Sequence, residues 1–181
     1  SWQLAAAIKE AAACGLTIPI VWNSNGYESV EVLQQLENVI DIYMPDIKYS
    51  CEEPARRLSG APGYWDHVRP AILEMQRQVG PLECDDDGIA ERGLLIRHLV
   101  LPDDLSGTRA VLKFIAEEVG RRANLSLMSQ YFPAHKALEM PDMARRLKSA
   151  EYEQAIEWLE EFDLSEAFIQ YEILDEGEEN I

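Results

Sequence analysis

Two charged residues stand where a short apolar run stops. Residues 39–44 are almost wholly apolar, Pro45 follows, and then come Asp46 and Lys48. Side-chain direction in an extended chain repeats every second residue, so this carboxylate and ammonium share one side. A second cation, Arg97, lies inside the apolar run 93–101, on the face of Leu95 and Leu99. An unpaired guanidinium is costly to bury, so Arg97 must face a carboxylate or an anionic ligand. The turn Asn23-Ser24-Asn25-Gly26 and the stretch Ser129-Gln130-Tyr131 end two further apolar runs. Two cations, one acid and several amides and hydroxyls suit a ligand with a carboxylate, an ammonium and a ribose. Lys48 and Arg97 can pair the carboxylate, and Asp46 and Asn23 can accept from ribose hydroxyls. The plain alternative is an Arg97–Asp46 salt bridge across an empty rim, and spacing does not choose between the two. A further chemistry open to Lys48 is Schiff-base formation with a carbonyl substrate.

These groups can act together only if strands bring them to one end. The runs 18–22, 39–44, 93–101 and 124–129 read as buried strands, with 39–44 covered on both faces and Pro45 ending its pairing. A weak last strand is expected over 167–171. Between them the spacing predicts helices over 2–13, closed by Gly15, over 29–36, 52–58, 64–79, 105–119 and 151–162. The helix over 64–79 should begin or kink near Pro70, and Ser149 is the expected N-cap of the last helix. Residues 81–91 read as an acidic loop. Strand alternating with helix requires a parallel sheet with right-handed crossovers, and in such sheets ligands bind at the carboxyl ends of the strands. Four good strands and one weak one are too few to close an eight-stranded barrel. The expected fold is therefore α/β, a partial parallel β/α barrel.

Bulk properties remove several function classes. The chain has 181 residues, 47% of them hydrophobic, enough for a real core. A formal charge of −17, from 33 acids against 16 bases, repels phosphate backbones and argues against a nucleic-acid partner. The acidic clusters at 83–87 and 175–179 read as solvated loop and tail. No apolar run is long enough to cross a bilayer and no signal peptide is visible, so no membrane role and a cytoplasmic location with reduced thiols are expected. Cys14, Cys51 and Cys84 form no C-x-x-C, and His67, His98 and His135 lack metal-ligand spacing. His98, on the opposite face from Arg97, is expected to pack against a helix. Trp2, Trp22, Trp65 and Trp158 are expected to be packing residues.

Four segments in order, IPIVWNSNGYES, VIDIYMPDIKY, RGLLIRHLVLP and LSLMSQYFP, resemble radical S-adenosylmethionine proteins. They are most similar to the branch of pyruvate formate-lyase activating enzyme and its iron–sulfur relatives. The resemblance implies the last four strands of a six-stranded barrel, with 1–181 the carboxyl-terminal part of one domain and 134–181 a terminal helical and strand extension. It implies a pocket for S-adenosylmethionine lined by Asn23, Ser24, Asn25, Asp46, Lys48 and Arg97. It also implies that the complete protein carries a [4Fe–4S] cluster, reductively cleaves the cofactor to a 5′-deoxyadenosyl radical, and has a glycyl-radical enzyme as a candidate protein substrate. Two positions depart from the pattern: Asn23 stands where the activating enzymes usually have an acid, and their histidine near Phe132 is missing. The family's C-x-x-x-C-x-x-C loop and its glycine-glycine-glutamate segment are also absent. Both are expected before Ser1, where the chain opens directly into a helical pattern, so this chain alone is expected not to cleave the cofactor. The rival expectation is a non-catalytic half-barrel that serves as an interaction module.

Overall fold

In a computed structural model, which describes residues 2–170, five strands run parallel in the order of the sequence. They are β1 (Val21–Ser24), β2 (Ile42–Pro45), β4 (Ala90–Leu99), β5 (Asn124–Met128) and β6 (Ala167–Ile169). A two-residue strand, β3 (Glu83–Cys84), lies antiparallel against the start of β4. The helices are α1 (Trp2–Ala13), α2 (Val30–Gln34), α3 (Glu52–Ser59), α4 (Tyr64–Val79), α5 (Thr108–Phe114), continued by a π-turn over Ile115–Val119, and α6 (Ser149–Glu161). The expected strand over 167–171 and the acidic tail reach beyond the described residues, as does the side chain of Trp2.

Strand order decides the architecture. Each parallel strand pairs with the next one in sequence and the order never reverses. Right-handed crossovers in one direction put every connecting helix on the same face. The result is an arc of β/α barrel. Burial follows from this. On the helix side, Tyr43, Ile47, Leu94, Ile96, His98, Val100, Leu125 and Leu127 are all buried. Their alternating neighbours Met44, Asp46, Lys48, Leu95, Arg97, Leu99, Ser126 and Met128 are half-buried on the other, concave face. Within 39–44 both faces are covered at Ile40, Ile42 and Tyr43, and the concave face opens only from Met44 onwards.

Pro45 does not end the pairing either. The ladder passes around it: Asp46 N donates to Ser24 O at 2.9 Å and Ile47 N to Arg97 O at 2.9 Å. Pro70 neither starts nor breaks α4, which begins at Tyr64 and runs to Val79. Lys148, not Ser149, occupies the N-cap of α6, because Glu151 reaches back to accept from Lys148 N at 2.9 Å. The expected acidic loop contains a hairpin: Glu83 pairs with Arg92, and Gly93 sits where a side chain would strike Pro81 O at 2.2 Å.

Candidate functional site

The site is built at the carboxyl ends of β1, β2 and β4, on the concave face. Register places Asn23 beside Met44 and Asp46 beside Arg97. Period-two alternation then turns Asn23, Asp46, Lys48 and Arg97 to the same side. The four side chains form one hydrogen-bonded chain. Arg97 Nε donates to Asp46 Oδ1 at 2.8 Å, and Arg97 Nη2 donates to Asn23 Oδ1 at 2.8 Å. Lys48 Nζ donates to the other carboxylate oxygen, Asp46 Oδ2, at 2.8 Å. The salt bridge weighed in the sequence is therefore present, and it has a second cation attached.

The electrostatics follow from that count. Two cations share one acid, so the cluster carries one excess positive charge on a chain whose formal total is −17. Asp46 is the most covered of the three ionised groups at 18% side-chain exposure, against 27% for Arg97 and 40% for Lys48. Lys48 spends one of its three donors on Asp46 and presents the remainder to the open face. A carboxylate arriving from that face meets an ammonium already held in place, while Asp46 and Asn23 offer acceptor oxygens beside it. This donor and acceptor set fits the amino-acid and ribose portions of S-adenosylmethionine.

Ser24 and Asn25 serve the turn itself. Gly26 N donates to Ser24 Oγ at 3.2 Å and Tyr27 N donates to Asn25 Oδ1 at 3.0 Å. That turn needs Gly26, whose φ is +73° and whose added Cβ would lie 2.6 Å from Asp46 O and 2.7 Å from Val68. The closeness locks the β1 turn against the β2 end that carries the acid and base.

Trp22 leaves the core partly, its Nε1 donating to Glu28 at 2.9 Å. Trp65 packs edge-on against Phe114. His98 is fully buried on the helix side, as the alternation predicts. Sequence reasoning missed Tyr64, a buried α4 residue whose hydroxyl joins Asn25 O, Asp46 O and Lys48 N at 2.7, 2.9 and 2.9 Å. Its position at the start of a helix carries no motif.

A [4Fe–4S] cluster does not fit these residues. Cys14, Cys51 and Cys84 are exposed thiols in α1's end, α3's cap and β3. Among the described residues no three His, Cys, Asp or Glu side chains gather as a metal-binding group. No helix among them is long and apolar enough to cross a membrane.

Comparison with known proteins bears on the fold more than on the chemistry. No protein-family model matches the chain. An uncharacterized protein of Methanocaldococcus jannaschii is 36% identical over 148 residues, which is 81% of this chain and 39% of that protein. The chain thus spans well under half the length of this relative. Among solved structures, a domain of pyruvate-formate lyase-activating enzyme from Bacteroides vulgatus superposes with a TM-score of 0.62 over 92% of this chain and 89% of that one. At 13% identity the likeness is one of fold, and it agrees with the arc of β/α barrel described above.

Proposed function

We propose that this chain is part of a radical S-adenosylmethionine enzyme and forms the wall that holds the cofactor's carboxylate and ribose. The observation that carries the reading is the Asn23–Arg97–Asp46–Lys48 chain on the concave face at the carboxyl rim. In this role Lys48 and Arg97 neutralise the incoming carboxylate, Asp46 holds both cations in place, and Asp46 and Asn23 accept from ribose hydroxyls. When bound beside a reduced iron–sulfur cluster, S-adenosylmethionine supplies a 5′-deoxyadenosyl radical. The thiols of this chain do not fit such a cluster, so that step is assigned to residues outside it. The substrate we assign to the whole protein is a hydrogen-atom donor of the glycyl-radical class.

The test uses the protein expressed from its full coding sequence, reconstituted anaerobically with iron and sulfide and reduced with dithionite. Release of methionine and 5′-deoxyadenosine from S-adenosylmethionine is the expected result. A protein that binds a cluster yet releases neither product overturns the assignment.

A second reading has one observation in its favour. Ile18, Val21 and Leu16 are exposed apolar residues along and beside the open edge of β1, at 70, 48 and 37%. An apolar sheet edge of this kind suits a non-catalytic half-barrel that docks on another chain. A purified chain that stays monomeric at high concentration argues against it.

A further inference from the structure

The concave face shows Asp46 and Lys48, but their backbone is held from the other side of the sheet. Three consecutive residues are gripped there. Tyr64 Oη accepts from Lys48 N at 2.9 Å and shares its own proton between Asn25 O and Asp46 O, at 2.7 and 2.9 Å. Between those two grips, Ile47 O lies 2.6 Å from His98 Nδ1. Tyr64 is 2% exposed and His98 0%. Neither ring reaches the concave face.

The protons of this network can be assigned one by one. Ile47 O only accepts, so His98 Nδ1 carries the hydrogen. Burial pushes the His98 pKa down to about 4, so the ring is neutral and Nε2 is an acceptor. Nε2 lies 3.0 Å from Thr108 Oγ1, whose one proton faces both this acceptor and the Asp104 carboxylate. Thr108 Oγ1, its own proton spent, accepts from Ser106 Oγ at 3.1 Å. Ser106 Oγ in turn accepts from Leu101 N at 3.3 Å. These bonds link the β4–α5 connection to the Ile47 carbonyl, between Asp46 and Lys48. A chain of this kind fixes a single geometry, because reversing any member leaves a buried group unpaired.

We infer that His98 and Tyr64 are positioning residues for the Asp46–Lys48 pair: they fix three successive residues of the β2 end from the helix side, so that the acid and the ammonium are presented preformed on the concave face. The inference rests on the proposed cofactor site for its consequence in binding, but the fixing itself does not depend on it. Without these grips, residues 46–48 keep only the backbone bonds of Asp46 N to Ser24 and Ile47 N to Arg97. They would then sample other directions for the two side chains, and a ligand would have to order them.

The test uses the whole 181-residue chain and two readouts. His98→Leu removes both ring bonds, His98→Asn keeps a donor near the Nδ1 position, Thr108→Val cuts the relay one step away, and Tyr64→Phe removes the hydroxyl. Amide hydrogen exchange should accelerate at least about tenfold at residues 46–48 in His98→Leu and Tyr64→Phe while α6 amides keep their rates. In His98→Asn the rates at 46–48 should return toward those of the unaltered chain. S-adenosylmethionine affinity should fall about tenfold in His98→Leu and recover in His98→Asn, a rescue that bulk packing alone does not give. Should His98→Leu fail to fold, Tyr64→Phe and Thr108→Val carry the same exchange test. Unchanged or uniformly raised exchange across the sheet overturns the inference. An unaltered chain that does not bind S-adenosylmethionine overturns the cofactor site instead, and the exchange result still decides the positioning role.

Discussion

Two arginine–carboxylate knots of similar burial sit in this molecule, and they use their bonding capacity differently. At the rim, Asp46 holds Arg97 and Lys48, leaving one positive charge in excess. Beside α6, Arg145 holds Glu151 and Asp103, leaving one negative charge in excess. The arginines are equally covered, at 27% side-chain exposure, and the central acids nearly so, at 18% for Asp46 and 21% for Glu151. Glu151 takes both arms of Arg145 and also accepts from the backbone at Lys148 N and Asp103 N. It ties a helix cap to the β4–α5 connection, and the Arg145 guanidinium holds its pKa down to about 2. Asp46 takes side chains only, and the outermost of them, Lys48, has donors to spare. A knot that fixes the fold spends its capacity on the backbone. A knot that receives a ligand keeps some of it facing outward.

Breaking each knot should therefore cost different things. The largest effect on stability is expected at the turn beneath the rim. Gly26→Ala forces a Cβ into Asp46 O and Val68 at a positive φ and should cost about 3 kcal/mol, read as a lowered urea midpoint. Next comes Glu151→Ala, which strands Arg145 and uncaps α6. With both groups partly exposed, about 2 kcal/mol is expected, again by urea, with ligand affinity unchanged in the folded protein.

Acid should separate the two regions. His98 has a folded pKa of about 4 against an ordinary 6.5, because burial disfavours its charged form. Its contribution is fully present above about 6.5 and is lost as pH falls towards 4. Glu151, held at about 2, loses its contribution only as pH falls from about 4.5 towards 2. Urea midpoints against pH should show the upper phase vanish in His98→Leu and the lower one shrink in Glu151→Ala, with Glu74 and Asp142, also held low by arginines, supplying the remainder. The smallest stability change is expected for Lys48→Met. The ammonium is 40% exposed, and solvent screening leaves its ion pair worth roughly 0.5 kcal/mol or less.

The sequence made the rim legible and the scaffold behind it less so. Period-two alternation alone put Asp46 and Lys48 on one side, and the cost of burying a bare guanidinium required a partner for Arg97 without choosing between Asp46 and a ligand. Helix limits at α4 and α1 were readable because glycines close the apolar pattern. The grip of Tyr64 was not, since 16 to 39 residues separate it from its three partners. The role of His98 was only half visible: its face could be read, its partners could not. The β3–β4 hairpin was hidden by the acidic run, although Asp87-Gly88 is a turn signal between the paired segments. Reading 39–44 as covered on both faces holds at Ile40, Ile42 and Tyr43 and stops at Met44, where the concave face opens towards the rim.

The most direct test is a titration of the intact chain with S-adenosylmethionine, followed by backbone amide shifts. Saturable changes are expected at residues 23–26, 46–48 and 97, with affinity reduced about tenfold in Lys48→Met and unaltered in Glu151→Ala. Changes confined to other surfaces, or an affinity indifferent to Lys48, would contradict the assignment of this rim.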